Sequence, residues 1–184
     1  MITIRTLVQN MKKGQSSIAV KYILTNLENN YLKIQSKIKV LGCRVIDDGT
    51  MIQLKIPSSD KPVSYDVVIW VDTTTKVTLD SNLKCYSNSP FFAFNFAYIF
   101  NKEHSLLFPE KYPIEFTTMP PKMRNPFGTV GFDKHVFAAL KTVGSKNMST
   151  LCNSFIGVST QQITSFSEKQ EELTRMNRNE ATTE

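Results

Sequence analysis

Two aspartates beside the most apolar segment of the chain are the first residues that could hold a divalent metal. Asp66 lies within the run Val63–Val71, and Asp72 follows it directly. One common nuclease arrangement places an acidic residue, and then an acid-x-Lys triplet, on a β-meander that follows a helix. Asp72 and Lys76 have three residues between them, whereas the acid and the lysine of the triplet have one, so the triplet is absent here. Asp66 and Asp72 are separated by roughly 20 Å of extended chain and cannot share one metal, so the pattern disfavours an active nuclease.

The nucleophiles and general bases of the chain form no motif. Its histidines are His104 and His135, and its cysteines are Cys43, Cys85 and Cys152, without a Cys-x-x-Cys pair. A Cys152–His135 pair stays open, but a core thiol and an ordinary helix histidine are the simpler interpretation. There is no Gly-x-Ser-x-Gly elbow and no glycine-rich phosphate loop. We therefore expect free thiols, no enzymatic activity, no cofactor, no bound metal and no small-molecule substrate.

Four lysines alternate with apolar residues in two segments that resemble neighbouring strands. They are Lys33, Lys37, Lys39 and Lys55. If their apolar neighbours are buried, the lysines project from one sheet face, and such a cationic face attracts phosphate groups. Lysine is also common on the solvated side of any antiparallel sheet, and no aromatic residues lie between these lysines for base stacking. A plain solvated face and a nucleic-acid-binding face therefore both stay open.

The segment from Met119 to Lys134 combines prolines, cations, methionines and phenylalanines in a predicted loop of more than a dozen residues. Loops of that length inside a compact domain are usually functional or bound to a partner. Exposed apolar groups mark interaction patches, and Met and Arg are enriched in protein interfaces. The predicted interface residues are Met119, Lys122, Met123, Arg124 and Phe127. The alternative is a loop that packs on its own domain.

The periodicity of apolar residues predicts the elements that position these sites. Helical spacing predicts helices over 2–12, 17–30, 91–100 and 134–143. Phe92, Phe96 and Phe100 should be buried in the third of these helices, and Asp133 can cap the fourth. Alternation and apolar runs predict strands over 32–40, 52–56, 63–71, 77–84 and 114–117. The run 63–71 is apolar at nearly every position, which is typical of a central strand covered on both faces, and we expect Trp70 to be buried. The predicted fold is α+β, with a single antiparallel or mixed β-sheet of about four to five strands and helices packed on one face.

Composition divides the chain into a domain and a tail. We assign residues 1–158 to a single globular α+β domain and residues 159–184 to a polar, flexible C-terminal tail with too few apolar groups to offset its ordering entropy. The net charge of +6 comes from the domain, because acidic residues outnumber basic ones in the tail. Neither a long apolar run nor a signal-peptide pattern is present, which predicts no membrane partner and a cytoplasmic location.

Three short sequences resemble small virion proteins of tailed phages from AT-rich genomes. They are Ser87-Asn88-Ser89-Pro90 with its aromatic run, Met123-Arg124-Asn125-Pro126, and Phe132-Asp133-Lys134. The resemblance spans about residues 60–143 and implies a structural subunit of the neck or tail, such as a head–tail connector component. Copies of itself and neighbouring virion proteins are the implied partners, first in the host cytoplasm and then in the virion. We therefore expect an assembly protein acting by protein–protein contacts, with a DNA-contacting, nucleic-acid-binding or degenerate nuclease-like protein as the alternative.

Overall fold

A five-stranded antiparallel sheet forms the centre of the protein and confirms the predicted α+β class. The computed structural model describes residues 1–12, 17–47, 49–74, 76–121, 125, 131 and 133–144. The strands are β1 (Ile2–Thr3), β2 (Lys39–Ile46), β3 (Gly49–Pro57), β4 (Ser64–Val71) and β5 (Asn82–Ser87), in the spatial order β1-β5-β4-β3-β2. Each neighbouring pair is antiparallel. The predicted tail, 159–184, lies outside the described residues.

Helices cover one face of this sheet. They are α1 (Ile4–Lys12), α2 (Ser17–Ile34), α3 (Pro90–Asn95), α4 (Ala97–Lys102), α5 (Ile114–Thr118) and α6 (Lys134–Gly144). The helix α6 packs on β3, β4 and β5, and α2 packs on α6. Phe92 of α3 and Phe100 of α4 are fully buried in the same core as the sheet residues. The predicted arrangement of helices on one side is therefore present in the molecule.

The two-residue period of the strands gives the sheet a buried face and an open face. Ile52 of β3 pairs with Ile69 of β4, and Leu54 pairs with Val67; all four side chains are fully buried. The open face, on the other side, carries Lys39, Arg44, Met51, Gln53, Lys55, Asp66, Val68, Trp70, Lys84 and Tyr86. Apart from Val68, these side chains are half-buried or exposed. The apolar surface of the sheet is thus directed mainly at the helices.

The predicted strand over 32–40 is wrong for residues 32–38. The helix α2 continues to Ile34, and a 3-10 turn (Gln35–Lys37) follows it before β2 begins at Lys39. Leu27, Tyr31 and Ile34 keep helical spacing, and Ile34 is buried in the core. The apolar stripe of the helix overlaps the alternation of lysines, and core burial of Ile34 decides in favour of the helix.

The predicted strand over 114–117 is also wrong, because these residues form α5. Pro113 stands at the N-cap, and its fixed φ suits the start of a helix better than the interior of a sheet. The Thr117 hydroxyl donates to the Ile114 carbonyl at 3.0 Å, which pairs one polar group of this short helix locally. The Thr117 carbonyl in turn accepts from the Asn101 side chain of α4 at 3.1 Å, so the segment has hydrogen-bond partners without a neighbouring strand.

Three further boundaries differ from the prediction. The helix expected over 2–12 begins only at Ile4, because Ile2 and Thr3 pair with β5 as the strand β1. The strand expected over 77–84 begins only at Asn82, since Thr78 and Ser81 close a turn in which the Ser81 N–H donates to the Thr78 carbonyl at 3.3 Å. The helix expected over 91–100 divides into α3 and α4 at Phe96, whose φ of −125° leaves the helical range. Its inward phenylalanines nevertheless lie in the core, as predicted.

The cysteines differ in state. Cys85 is a free thiol buried in the core, as expected, and burial followed by the nearby Asp133 raises its pKa well above the usual range. The expectation of a free thiol is wrong for Cys43, which is disulfide-bonded. Cys152 lies outside the described residues.

Candidate functional site

An apolar groove runs between α3 and α5, and the start of α3 sets its position. The Ser89 hydroxyl accepts a hydrogen bond from the Phe92 N–H at 3.1 Å, which caps the helix. Pro90 follows at the first helical position, where its missing N–H is not needed. With the helix started here, the helical period buries Phe92 and leaves Phe91 and Phe94 exposed.

The helix α5 supplies the other wall of the groove. The Asn101 side-chain amide of α4 donates to the Thr117 carbonyl at 3.1 Å and ties α5 to α4. The rings of Phe94 and Phe116 are 4.6 Å apart at 57°, a tilted geometry that aromatic pairs favour. The groove has a volume of about 300 Å³, and it is lined by Ala93, Phe94, Tyr98, Glu115, Phe116, Met119, Pro120 and Pro121.

Large apolar side chains at and beside this groove are exposed to solvent. The exposed fraction is 45% for Phe94, 55% for Met119 and 75% for Ile114, the first residue of α5. Single exposed apolar residues are ordinary, whereas a group of them around a concave surface is typical of protein interfaces. Glu115 is the only charged residue among the described residues that line the groove. The arrangement therefore suits an apolar protein surface better than a charged ligand.

The predicted interface loop begins at this groove. Met119 lines it and is one of its most exposed members. Lys122, Met123, Arg124 and Phe127 lie outside the described residues. Sequence reasoning did not identify Phe94 or Ile114, although the spacing of Phe91 and Phe94 around the inward Phe92 is a signal that could have marked an outward aromatic pair.

The four lysines predicted to share one sheet face do not lie together. Lys39 and Lys55 are cross-strand partners on the open face. Lys33 lies in the last turn of α2 and Lys37 in the 3-10 turn, so neither belongs to the sheet. Like charges opposite each other repel, and Asp66 stands beside Lys55 with a 3.6 Å ion pair that offsets part of this repulsion.

Two aromatic residues on the open face were not predicted. Trp70 of β4 and Tyr86 of β5 have the parity of Asp66 and Lys84, which point away from the helices. Trp70 was expected to be buried and is only half-buried, because helices cover β4 on one face and not on both. Parity counted from a known buried neighbour such as Ile69 was the signal for this orientation.

Contacts at the sheet surface hold Trp70 in place. Its indole N–H donates to the Ile46 carbonyl at 3.0 Å. The ring lies against Gly49, where an added Cβ would stand 2.5 Å from Trp70 Cε2. The ammonium group of Lys84, the cross-strand partner of Trp70, lies 5.1 Å from the ring centroid, within the range of a cation–π interaction.

A buried polar cluster joins the beginnings of α3 and α6. Asp133 Oδ1 caps α6 by accepting from the backbone N–H groups of His135 (2.8 Å) and Val136 (3.2 Å), as the sequence predicted. Asp133 Oδ2 accepts from the Ser89 hydroxyl at 3.0 Å. His135 Nδ1 is 3.1 Å from Asp133 Oδ1. One carboxylate therefore links the two helix starts and orients the imidazole.

The cluster lacks the connectivity of a catalytic triad. His135 Nε2 is buried without a hydrogen-bond partner among the described residues. A proton on Nδ1 directed at Asp133 leaves Nε2 as an acceptor, which is the arrangement of a general base. Ser89, however, donates to the far oxygen of Asp133, so this hydroxyl is not at Nε2 where a nucleophile would stand. Within the described ranges, no group of three or more His, Cys, Asp or Glu residues could hold a metal ion.

The pocket beside this cluster has an ion pair at its rim. It has a volume of about 490 Å³ and is lined by both buried and rim residues, including Tyr65, Asp60, Lys134 and His135. The Lys134 ammonium donates to Asp60 Oδ1 and, followed by the hydroxyls of Ser58 and Ser59, holds the pKa of that carboxyl well below its usual range. Lys134 and Asp60 therefore neutralise each other, whereas Lys61, which also lines this pocket, forms no ion pair among the described residues.

The aspartates considered for metal binding have structural partners. Asp66 accepts from the Asn88 amide at 3.4 Å, and its own backbone N–H donates to the Asn88 side chain at 2.8 Å. Asp72 accepts from the backbone and the side chain of Asn82, at 2.8 Å and 2.5 Å. These contacts link the ends of β4 and β5, so each carboxylate is used in connecting neighbouring strands.

Comparison with known proteins gives no relative to guide the assignment. No protein-family model, curated protein or solved structure matches this chain. Among the described helices, none is both long enough and apolar enough to cross a membrane.

Proposed function

We propose that this protein is a non-enzymatic structural subunit that is held in a larger assembly by protein–protein contacts. The observation that carries the proposal is the exposed apolar groove between α3 and α5. Its walls are aromatic and aliphatic, and its position is fixed by helix caps and an inter-helix hydrogen bond. A pre-formed apolar surface of this kind loses little conformational freedom when a partner docks.

The neighbouring loop extends the proposed interface. Met119 belongs to the groove, and the predicted anchors Lys122, Met123, Arg124 and Phe127 follow it within a few positions of the chain. Large apolar and arginine side chains dominate the energetics of protein interfaces. We assign these residues to the same contact surface as the groove.

The kind of assembly is proposed from the resemblance to tailed-phage virion proteins. A neck or tail subunit is surrounded by copies of itself and by other virion proteins, which would account for an exposed apolar groove. The protein would then be present in the host cytoplasm during assembly and afterwards in the virion. No catalytic step and no small-molecule substrate enter this proposal.

Sedimentation of a groove variant tests the proposal. Phe94→Ser combined with Met119→Ser removes two exposed apolar side chains that line the groove and are not members of the buried core. We expect the concentration needed for self-association, or for binding a co-expressed neighbouring subunit, to rise about tenfold or more, which corresponds to about 1.4 kcal/mol. The unfolding midpoint of the isolated chain should change little, because surface substitutions usually alter stability by less than about 0.5 kcal/mol.

A matched variant on another element is the control. Tyr22 and Leu32 of α2 are 69% and 53% exposed, so Tyr22→Ser combined with Leu32→Ser removes a similar pair of side chains elsewhere. This control should associate like the unchanged protein. Equal loss of association in both variants, or association that follows unfolding alone, would contradict a specific interface at the groove.

A further inference from the structure

We propose that the open face of the sheet binds single-stranded nucleic acid, with Trp70 and Tyr86 as stacking surfaces and the surrounding cations as phosphate contacts. The inference does not depend on the assembly proposal, because the open face and the groove share no residue. Its basis is the combination of aromatic rings and unpaired positive charge on one side of β2–β5.

The aromatic residues occupy neighbouring positions on adjacent strands. Trp70 pairs with Lys84, and Val68 pairs with Tyr86, so Trp70 and Tyr86 are diagonal neighbours across the β4–β5 ladder. Diagonal positions in an antiparallel pair are about 7–8 Å apart. The two rings are therefore separate surfaces for different bases of one strand, and a base that stacks on either ring takes the place of the ammonium group that now lies over it, which is then directed to a phosphate. Base–aromatic stacking tolerates any sequence, since every base has a π-face.

The rings are held rather than loosely exposed. The Ile46 carbonyl and Gly49 fix the indole of Trp70, as described above. Tyr86 packs against Phe108 and Tyr112, with ring centroids 5.8 Å and 5.4 Å away. A pre-positioned ring loses little side-chain freedom when a base stacks on it, which favours binding.

Positive charge lies on the same face as both rings, and one cation is next to each ring. The cations are Lys39, Arg44, Lys55, Lys84 and Lys111. Lys84 lies over Trp70, and Lys111 lies 5.4 Å from the Tyr86 ring centroid. In the described part of the chain, Lys55 is the only one of the five in an ion pair, with Asp66. Glu110 is the other carboxylate that acts on Tyr86.

The charges and rings of the open face fit single-stranded nucleic acid better than a duplex. Five cations against three carboxylates (Asp66, Asp72 and Glu110) leave the face positive, and each ring has an ammonium group beside it. A strand of phosphates with unstacked bases complements both features at once. A duplex offers the phosphates but keeps its bases stacked inside, so it can use only the charges.

Fluorescence titration of the full-length protein tests this inference directly, because Trp70 is the only tryptophan in the chain. The probes are an oligothymidylate and an oligouridylate of about 16 nucleotides, the upper end of the site size for single-strand-binding sheets. At about 50 mM salt we expect both to quench Trp70, and log affinity to fall with log salt at a slope of about −3 for four phosphate contacts. Quenching by one probe alone would assign the site to DNA or to RNA. A duplex of the same length should bind more weakly and without quenching.

Charge variants separate the face from general basicity. Arg44→Ala and Lys84→Ala should each reduce the salt slope by about 0.7, because each removes one phosphate contact. Lys33→Ala and Lys37→Ala remove the same charge from residues outside the sheet and are the matched controls. Trp70→Ala, followed by anisotropy of a labelled oligothymidylate, should weaken binding by roughly fivefold or more, and thermal unfolding checks that this variant folds.

Three results would overturn the inference. One is no binding of either single strand at about 50 mM salt. Another is equal loss of affinity in the open-face and control variants, which would indicate general attraction to a basic protein. The third is binding of duplex as tight as that of single strand with Trp70 emission unchanged, which would exclude stacking on this ring.

Discussion

Replacing Gly49 by alanine tests how the sheet holds Trp70. The added Cβ would lie 2.5 Å from Trp70 Cε2 and 2.5 Å from the Val71 carbonyl oxygen. Non-bonded carbon atoms are ordinarily about 3.5–4.0 Å apart, so both contacts overlap by roughly 1 Å. The indole can rotate away, but the Val71 carbonyl belongs to the backbone of β4 and cannot. Relief therefore requires β3 and β4 to separate locally.

Overpacking of this kind costs about 1–3 kcal/mol. For a chain of this size, we expect Gly49→Ala to lower the Tm by about 2–12 °C. The folded protein should also show red-shifted emission, because the displaced indole of Trp70 becomes more exposed to water. Urea unfolding followed by tryptophan emission measures the free energy of unfolding and the position of the indole in one experiment.

Gly42→Ala is the matched control on the neighbouring strand. An added Cβ at Gly42 meets nothing within 4 Å. This variant should be unchanged or stabilised by up to about 1 kcal/mol, since alanine loses less backbone freedom on folding than glycine. Equal stability of the two variants, with identical emission, would refute the close packing of Trp70 on Gly49.

Three other substitutions test single contacts. Tyr112→Phe removes a buried hydroxyl that accepts from the Ser87 N–H (3.0 Å) and donates to the Ser87 carbonyl (2.8 Å), and should cost about 1–3 kcal/mol in urea unfolding. Asp133→Ala removes the cap of α6 and should lower the free energy of unfolding by about 1–2 kcal/mol, with faster amide hydrogen exchange in the first turn of that helix. Asp60→Asn should lower the Tm slightly at neutral pH, because the lowered pKa of Asp60 means that its ionised form is stabilised by Lys134 in the folded state. This difference should shrink progressively in Tm measurements as the pH falls below about 4, the ordinary pKa of the carboxyl in the unfolded chain, and vanish only at the lower pH where the folded carboxyl is also protonated. A difference independent of pH would contradict the ion pair.

Apolar periodicity correctly predicted the elements that have one side against the core and the other side in solvent. In β3, Ile52, Leu54 and Ile56 are buried while Lys55 is exposed, so a two-residue pattern is enough to identify the strand. The same holds for α6, where the predicted cap Asp133 begins the helix. Local sequence contains the information in these cases, because the core covers one side of each element along its whole length.

The predicted strands were wrong at two places: where a strand-like alternation overlapped the apolar stripe of a helix, and where prolines lie next to a short helix. Residues 32–38 alternate like a strand, but Leu27, Tyr31 and Ile34 also continue the stripe of α2, and only tertiary packing distinguishes the two. Prolines on either side of residues 114–117 argue against a long helix, and a strand was predicted there. Pro113 instead starts the short helix α5. Burial of Ile34 and docking of α5 on α4 are long-range effects that no local window contains.

Both candidate surfaces depend on aromatic residues that composition alone would assign to the core. Phe92 and Phe94 belong to one short helix, yet the first is buried and the second is 45% exposed. Trp70 and Ile69 are adjacent in β4 and point to opposite faces. The sequence reveals such outward aromatics only after the inward neighbour is known, because parity and helical phase are relative quantities.

The two surfaces can therefore be tested separately. The groove is built on α3 and α5, and the open face on the strands β2–β5, with no residue in common. Phe94→Ser combined with Met119→Ser should weaken assembly and leave nucleic-acid binding intact, whereas Arg44→Ala should do the reverse. If both variants affected both readouts, the two surfaces would form one continuous binding site, and nucleic acid would then have to be considered part of the assembly itself. Measuring both readouts on each variant distinguishes a subunit with two independent partners from one whose assembly and nucleic-acid contacts are coupled.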